Sequence, residues 1–195
     1  MLAVVVAGCG MMTHELQLKG FTANTVAPRL PATARIAVVL SAGDIKPTYS
    51  TSTDGHTFII HQARQFYEQA YRTAFRNVTV ETFSVDPPDD FDVYLYPALD
   101  LVATGWISHA CTARFTLVIK DATGRELGRT ATTATGNFVR MAAALDACVN
   151  AIRTTFFATY PFMDAQLATV RVRTPPPPPP PPPAVAPPVS PEPTP

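Results

Sequence analysis

Nine consecutive prolines, Pro175–Pro183, limit how much of this chain can fold. A residue with no backbone N–H and with φ held near −65° fits neither a helix interior nor a central strand. Such a run adopts polyproline II, extending ~3.1 Å per residue. Fourteen of the 21 prolines lie between Thr174 and Pro195, where Glu192 is the only charge. The 195 residues therefore divide into one domain of ordinary size and a tail that cannot pack a core. Mostly extended, Thr174–Pro195 would reach ~60 Å. It reads as a disordered, solvated end, or as a ligand for an aromatic-lined groove of an envelope partner, or as an arm towards the cell wall.

The opposite terminus says where such a chain works. Met1–Gly8 (MLAVVVAG) is a short apolar run ending in small residues, followed by Cys9, as a secretory signal looks just before its cleavage point. A complete signal has a positive n-region and about 7–15 apolar residues. Neither is present, which predicts a start further upstream or a chain that begins inside the signal. The other reading of LAVVVA is a first β-strand running into Gly-Cys-Gly. No segment approaches the ~18 consecutive apolar residues of a membrane span. With Lys+Arg and Asp+Glu at 15 each, and three lysines, the chain has no basic stripe for phosphates, so nucleic acid is not expected as a partner.

Between the ends, Gly10–Ala34 shows no sustained period and contains Pro28 and Pro31, which reads as a tether of about 25 residues. Arg35–Leu40 (RIAVVL) is a buried strand by its continuous apolar run, and residues 41–56 read as a long loop. His61–Arg76 places Ala63, Phe66, Ala70 and Ala74 at steps of three and four, predicting a helix. Val78–Val85 reads as a strand, stopped by Asp86-Pro87-Pro88-Asp89-Asp90. Asp92–Val102 alternates with period two, Pro97 suggesting an edge or a bulge. Cys111–Lys120 alternates again, Asp121–Gly124 supplies a turn with Gly124 free to take positive φ, and Arg125–Thr135 returns antiparallel. Asn137 is placed to cap a last helix carrying Phe138, Met141, Leu145, Cys148, Ile152 and Phe156, ending before Pro161.

This order predicts an α+β two-layer sandwich: a mainly antiparallel sheet with two amphipathic helices on one face. The expected divisions are 1–8 residual signal, 9–34 Cys9 and tether, 35–162 domain, and 163–195 proline-rich tail. Cys111 shares the parity of Phe115 and Leu117, and Cys148 lies on the apolar stripe of the last helix, so both point into one layer. They form either a disulfide, worth about 2–4 kcal/mol in an oxidising compartment, or two separate buried thiols. Sequence does not give the Cα separation that decides between them.

Residues that carry familiar chemistry are scattered. His14, His56, His61 and His109 form neither HxxxH nor HExxH, and neither GxSxG nor a Walker-type loop occurs. His61 is expected at a helix start and His56 in a glycine-containing turn. Asp86, Asp89, Asp90 and Asp92 lack calcium-loop spacing and read as a solvated turn. Trp106, the only tryptophan, follows Gly105 at a strand end near Tyr94 and Tyr96, as ordinary packing or as an aromatic binding patch. No enzyme, cofactor or metal is expected.

Val6-Ala7-Gly8-Cys9 resembles a bacterial lipobox, in which a small residue at −1 admits the signal peptidase to a diacylated cysteine. The resemblance implies that Cys9 is the lipid-bearing first residue of the mature protein, carrying acyl chains such as palmitate. Three acyl chains anchor well beyond the marginal affinity of one. The absence of Asp at position 10 implies the outer membrane of a Gram-negative cell. The segments DVYLYPALDLVATG, FTLVIKDATGRELGRTATTATGN and FVRMAAALDACVNAI, within Asp92–Ala158, resemble the YajG-like lipoproteins at the level of pattern. Lipoproteins of lipopolysaccharide assembly, activators of penicillin-binding proteins and auxiliary lipoproteins of transport systems have related layouts. The expectation is a non-enzymatic outer-membrane lipoprotein facing the periplasm, an accessory of an envelope assembly or transport machine with a protein partner. The alternative is a periplasmic module holding a lipid or glycan between helices and sheet.

Overall fold

The computed structural model describes residues 12–18, 30–53, 55–75, 77–104, 110–140 and 143–172. In chain order they form β1 (Met12–Gln17), β2 (Arg35–Val39), β3 (Thr48–Thr53), β4 (His56–His61), α1 (Ala63–Ala74), β5 (Thr79–Phe83), β6 (Val93–Thr104), β7 (Ala110–Asp121), β8 (Glu126–Asn137), α2 (Ala144–Ala158) and α3 (Tyr160–Leu167). The fold is α+β, with helices packed on one face of a five-stranded sheet ordered β5-β2-β6-β7-β8 and a second sheet ordered β1-β4-β3. The β6-β7-β8 meander is antiparallel, as its alternation predicts, whereas β2 pairs parallel with both β5 and β6. The large sheet is therefore mixed. Parallel neighbours need a crossover, and between β2 and β5 it runs through the β3–β4 hairpin and α1.

Strand alternation builds the core. Cys111, Ala113, Phe115, Leu117 and Ile119 point to the helical side of β7 and are wholly buried. Opposite them β8 presents Gly136, Ala134, Thr132, Thr130 and Gly128. These small side chains let α2 and α3 lie low on the sheet. The space between the layers is filled by rings: Tyr67 stacks on Phe115 at 5.3 Å, and Phe156 stands edge-on to Tyr67 at 5.7 Å and to Tyr71 at 5.1 Å. Edge-to-face contacts add about 0.5–1.5 kcal/mol each beyond their area. On the other face Ala37, Phe91 and Tyr94 form a small separate cluster. The β5–β6 connection crosses it, with Tyr94 Oη donating to the Pro88 carbonyl at 3.0 Å. Arg35 clips this connection down, its guanidinium lying 4.3 Å over Phe91 and pairing with Glu81 at 2.8 Å and with Asp90.

Pro97 shows how the sheet tolerates a proline. Its register partner on β7 is Leu117, while β2 accompanies β6 only from Val93 to Leu95. Leu99, of the same parity, sends its N–H away from β7 to the Asp44 carbonyl at 2.9 Å. The missing N–H of Pro97 therefore points where β2 has already ended, and no ladder bond is lost.

Four expectations are corrected. Met12–Gln17, inside the stretch read as a tether, is a strand paired parallel with β4, and Leu18 joins the core. Residues 41–56, read as a loop, contain β3, whose TYSTST sequence has β-branched residues but little apolar signal. Asn137 ends β8 instead of capping a helix; α2 starts at Ala144 because Phe138 first turns inward against Phe58. Helix continues beyond residue 162, since Pro161 occupies the first turn of α3, where a missing N–H costs nothing, and Met163 and Leu167 are buried in the core.

Gly136 is the tightest point. A Cβ there would stand 2.2 Å from the Ala147 carbonyl oxygen of α2, a backbone atom that cannot swing aside. At Gly128 the nearest atoms, 3.1 Å away, are the tips of Gln166 and Phe162, which can. Gly136→Ala is expected to cost about 1–3 kcal/mol by overpacking, and Gly128→Ala distinctly less, as read from urea midpoints at constant m-value. Equal costs would contradict this account of the helix seat. The Tyr67, Tyr71 and Tyr160 hydroxyls are buried without a protein hydrogen-bond partner. Burial pushes the Tyr71 hydroxyl pKa well up, so it stays protonated. Tyr71→Phe is accordingly expected to leave the melting temperature unchanged or higher.

Candidate functional site

Two cysteines called from parity are brought together. Cys111 on β7 and Cys148 on α2 have Cα atoms 5.0 Å apart and sulfurs at bonding distance. Gly136 is the register partner of Cys111, and Ala147 precedes Cys148, so the glycine that admits the helix also admits the bond. Closing a loop over a sequence separation of 37 would stabilise by about 3–4 kcal/mol in the chain-entropy model. The joint lies at the end of the meander where Thr104, Ala110 and Asn137 meet.

That end also receives the N-terminal strand. Met12 is paired with His56, and Phe58, two residues on, packs against Phe138, Ala144 and Ala147. Cys9 lies outside the described residues, as do the expected signal Met1–Gly8 and the tail from residue 173. Chain length alone still places the Cys9 Cα within about 11 Å of the Met12 Cα, whatever path Gly10 and Met11 take. The opposite end is marked by the β7–β8 turn. There Asp121 accepts the Thr123 hydroxyl at 2.6 Å, the Thr123 N–H at 2.9 Å and the Arg125 Nε at 3.0 Å. These bonds hold its carboxyl at a pKa of about 2. Gly124 takes φ +81°, as its turn position predicts. Helices α2 and α3 run from the first end to the second: Ala147 sits on Gly136, the Thr155 carbonyl accepts from Thr132 at 2.8 Å, and Phe162 and Gln166 cover Gly128. Arg171, near the last described residue, lines a cleft with Asp121, Thr123 and Arg125. Met12 and Arg171 are thus at opposite ends of strands 12 residues long, roughly 40 Å at 3.4 Å per residue.

The acidic residues 86–92 separate into two groups. Asp90 and Asp92 serve Arg35, Asp92 accepting its backbone N–H at 2.9 Å. Asp86 and Asp89 line an open cleft of about 670 Å³ at the turn end, with Tyr94, Tyr96 and Lys120. Lys120 Nζ lies 4.7 Å over the Tyr96 ring. Burial, followed by the Asp86 charge, pushes the Tyr96 hydroxyl pKa up. Of the expected aromatic patch, Tyr94 is buried and Tyr96 half-buried at this cleft, while Trp106, its centre, lies outside the described residues, as does His109. His56 opens β4 instead of occupying a turn, and its Nδ1 is 2.9 Å from Nε2 of His14. His61 ends β4, 3.7 Å from Glu15. Among the described residues no three potential metal ligands come together, and no helix is long and apolar enough to cross a membrane.

No family model matches the chain, and no curated protein sequence matches it either. The fold is similar to that of XCC0632 from Xanthomonas campestris, described by the family model DUF330, with a TM-score of 0.53 at 12% identity over 80% of this chain and 98% of that one. Protein CT253 from Chlamydia trachomatis aligns with a TM-score of 0.43 at 8% identity, covering 69% of this chain and 98% of its own. Lipoprotein GNA1162 from Neisseria meningitidis reaches 0.33 at 13%, covering 62% and 99%. The likeness to XCC0632 shows a shared fold. None of the three bears on the YajG resemblance specifically.

The cysteine joint has a direct test. Alkylation of the denatured, unreduced chain should leave Cys111 and Cys148 unmodified, each gaining one adduct after reduction. Cys111→Ala with Cys148→Ala should lower unfolding stability by about 2–4 kcal/mol. Full alkylation without reductant would show two thiols.

Proposed function

We propose that this chain is a non-enzymatic lipoprotein of the outer membrane, facing the periplasm. In this reading Cys9 carries the lipid, and the domain serves as an accessory subunit of an envelope assembly or transport machine. The observation that supports it most is the Val6-Ala7-Gly8-Cys9 lipobox standing immediately before β1, the first strand of the packed domain. A cleavage point there would leave three residues, Cys9 to Met11, before the first described strand. The Cys111–Cys148 geometry fits an oxidising compartment. A protein partner fits the turn end, where Tyr96, Lys120 and the Asp86 and Asp89 carboxylates present mixed charge around an aromatic ring. A lipid or glycan held between helices and sheet would have to displace Tyr67, Phe115 and Phe156, which fill that space.

Expressed from its own upstream region in a Gram-negative host, the membrane-fraction protein should show an intact mass beginning at Cys9 with about three acyl groups. Cys9→Ala should abolish the modification and the membrane association. A soluble, unmodified chain that retains Met1 would overturn the reading.

A further inference from the structure

The position of the first strand bears on how the domain meets the lipid. A tether of about 25 residues would let the domain turn in any direction, but Met12–Gln17 is bonded into a sheet. From Cys9 to the start of that sheet the chain spans three residues, at most about 11 Å. A lipidated Cys9 therefore holds one end of the domain close to the bilayer surface.

That end carries exposed apolar side chains with no counterpart in the packing. Met12 is 63% exposed, Val102 50% and Val139 96%. Met12 opens β1 beside His56; Val102 lies two residues before the end of β6, with Thr112 as its register partner; Val139 follows the end of β8 by two residues. Among the described residues only Val85 and Phe157 are comparable in size and exposure, and they lie apart, beside the acidic turn and on the last turn of α2. Single exposed apolar residues need no explanation, but these three recur where the strands end, Val102 on the open face of the sheet by its alternation with Leu101. Arg140, exposed beside Val139, adds a cation suited to anionic headgroups.

We infer that the end bearing Met12, Val102 and Val139 is seated on the lipid surface, with the β7–β8 turn and the tail exit facing away from it. This rests on the reading of Cys9 as lipidated. The seat adds to the anchor: acyl chains hold the protein at the membrane, and the apolar end sets its orientation there.

Two single-tryptophan chains test it, both in a Trp106→Phe background: Val139→Trp at the proposed seat and Arg171→Trp at the far end. Both positions are exposed, and a thermal melt checks each fold. The acylated proteins are reconstituted into phosphatidylethanolamine–phosphatidylglycerol vesicles with brominated or plain acyl chains, after intact mass has established acylation of each sample. The Val139→Trp chain should lose emission in brominated vesicles and shift to the blue, while the Arg171→Trp chain should emit alike in both. An acylated protein quenched equally at both ends, or at neither, would overturn the seat and leave the anchor standing. A chain that carries no acyl group would overturn the Cys9 reading itself.

Discussion

The domain is organised around one close approach, where α2 crosses the end of β8 at Gly136. A helix normally rides well above a sheet on side chains, but here the backbone of Ala147 comes within 2.2 Å of where a Cβ on Gly136 would stand. That depth brings Cys148 over Cys111, lets Thr132 donate into α2 at the Thr155 carbonyl, and aims Phe156 into the ring cluster. Further along, Gly128 meets only the side-chain tips of Phe162 and Gln166 at 3.1 Å, so the helical layer continues through α3 to the far turn at a looser clearance. The small residues of β8 are thus a negative mould of the helix. Enlarging one at the Gly136 end would lift the layer and open the core, whereas the Gly128 end has flexible neighbours to absorb the change.

How much of this was legible varied with the kind of signal. The β6-β7-β8 meander, its turn and the parity of Cys111 were readable because one buried face writes a period of two into the sequence. The αβ order and the single helical face followed for the same reason. β1 and β3 were missed because they lie in the smaller sheet and are half polar; MTHELQ and TYSTST carry no clean alternation. The parallel pairing of β2 was hidden too, since a strand buried on both faces reads only as an apolar run and gives no direction. Gly136 lies just past the strand expected to end at Thr135, and its role depends on how closely Ala147 of α2 rests on it, which no periodicity records.

The candidate sites divide in the same way. Parity placed Cys111 and Cys148 in one layer but not within bonding reach, because only the depth of α2 sets their separation. The acidic turn was read as one solvated unit, yet Arg35, 55 residues before Asp90, draws part of it into a structural clip. What remains, Asp86 and Asp89 beside Tyr96 and Lys120, is a surface feature defined by the β5–β6 connection folding back over the sheet. That connection has no periodicity to read, and its position follows from Phe91 filling the space over Ala37.

The long strands also give the molecule a direction. Met12, the start of β1, and Arg171, after α3, are separated by the full length of the meander, roughly 40 Å. With Cys9 in a bilayer, the polyproline run starts at that distance instead of near the lipid. Nine prolines in polyproline II add ~28 Å of stiff chain. A flexible linker of equal length would spend most of its time coiled near its origin. A stiff one on a base oriented as proposed would sample a shell well away from the membrane. If Cys9 carries the lipid as proposed, a proline-rich segment C-terminal to so short an anchor would act through reach. In the opposite order, between lipid and domain, the same prolines would set the height of the domain and leave its orientation free.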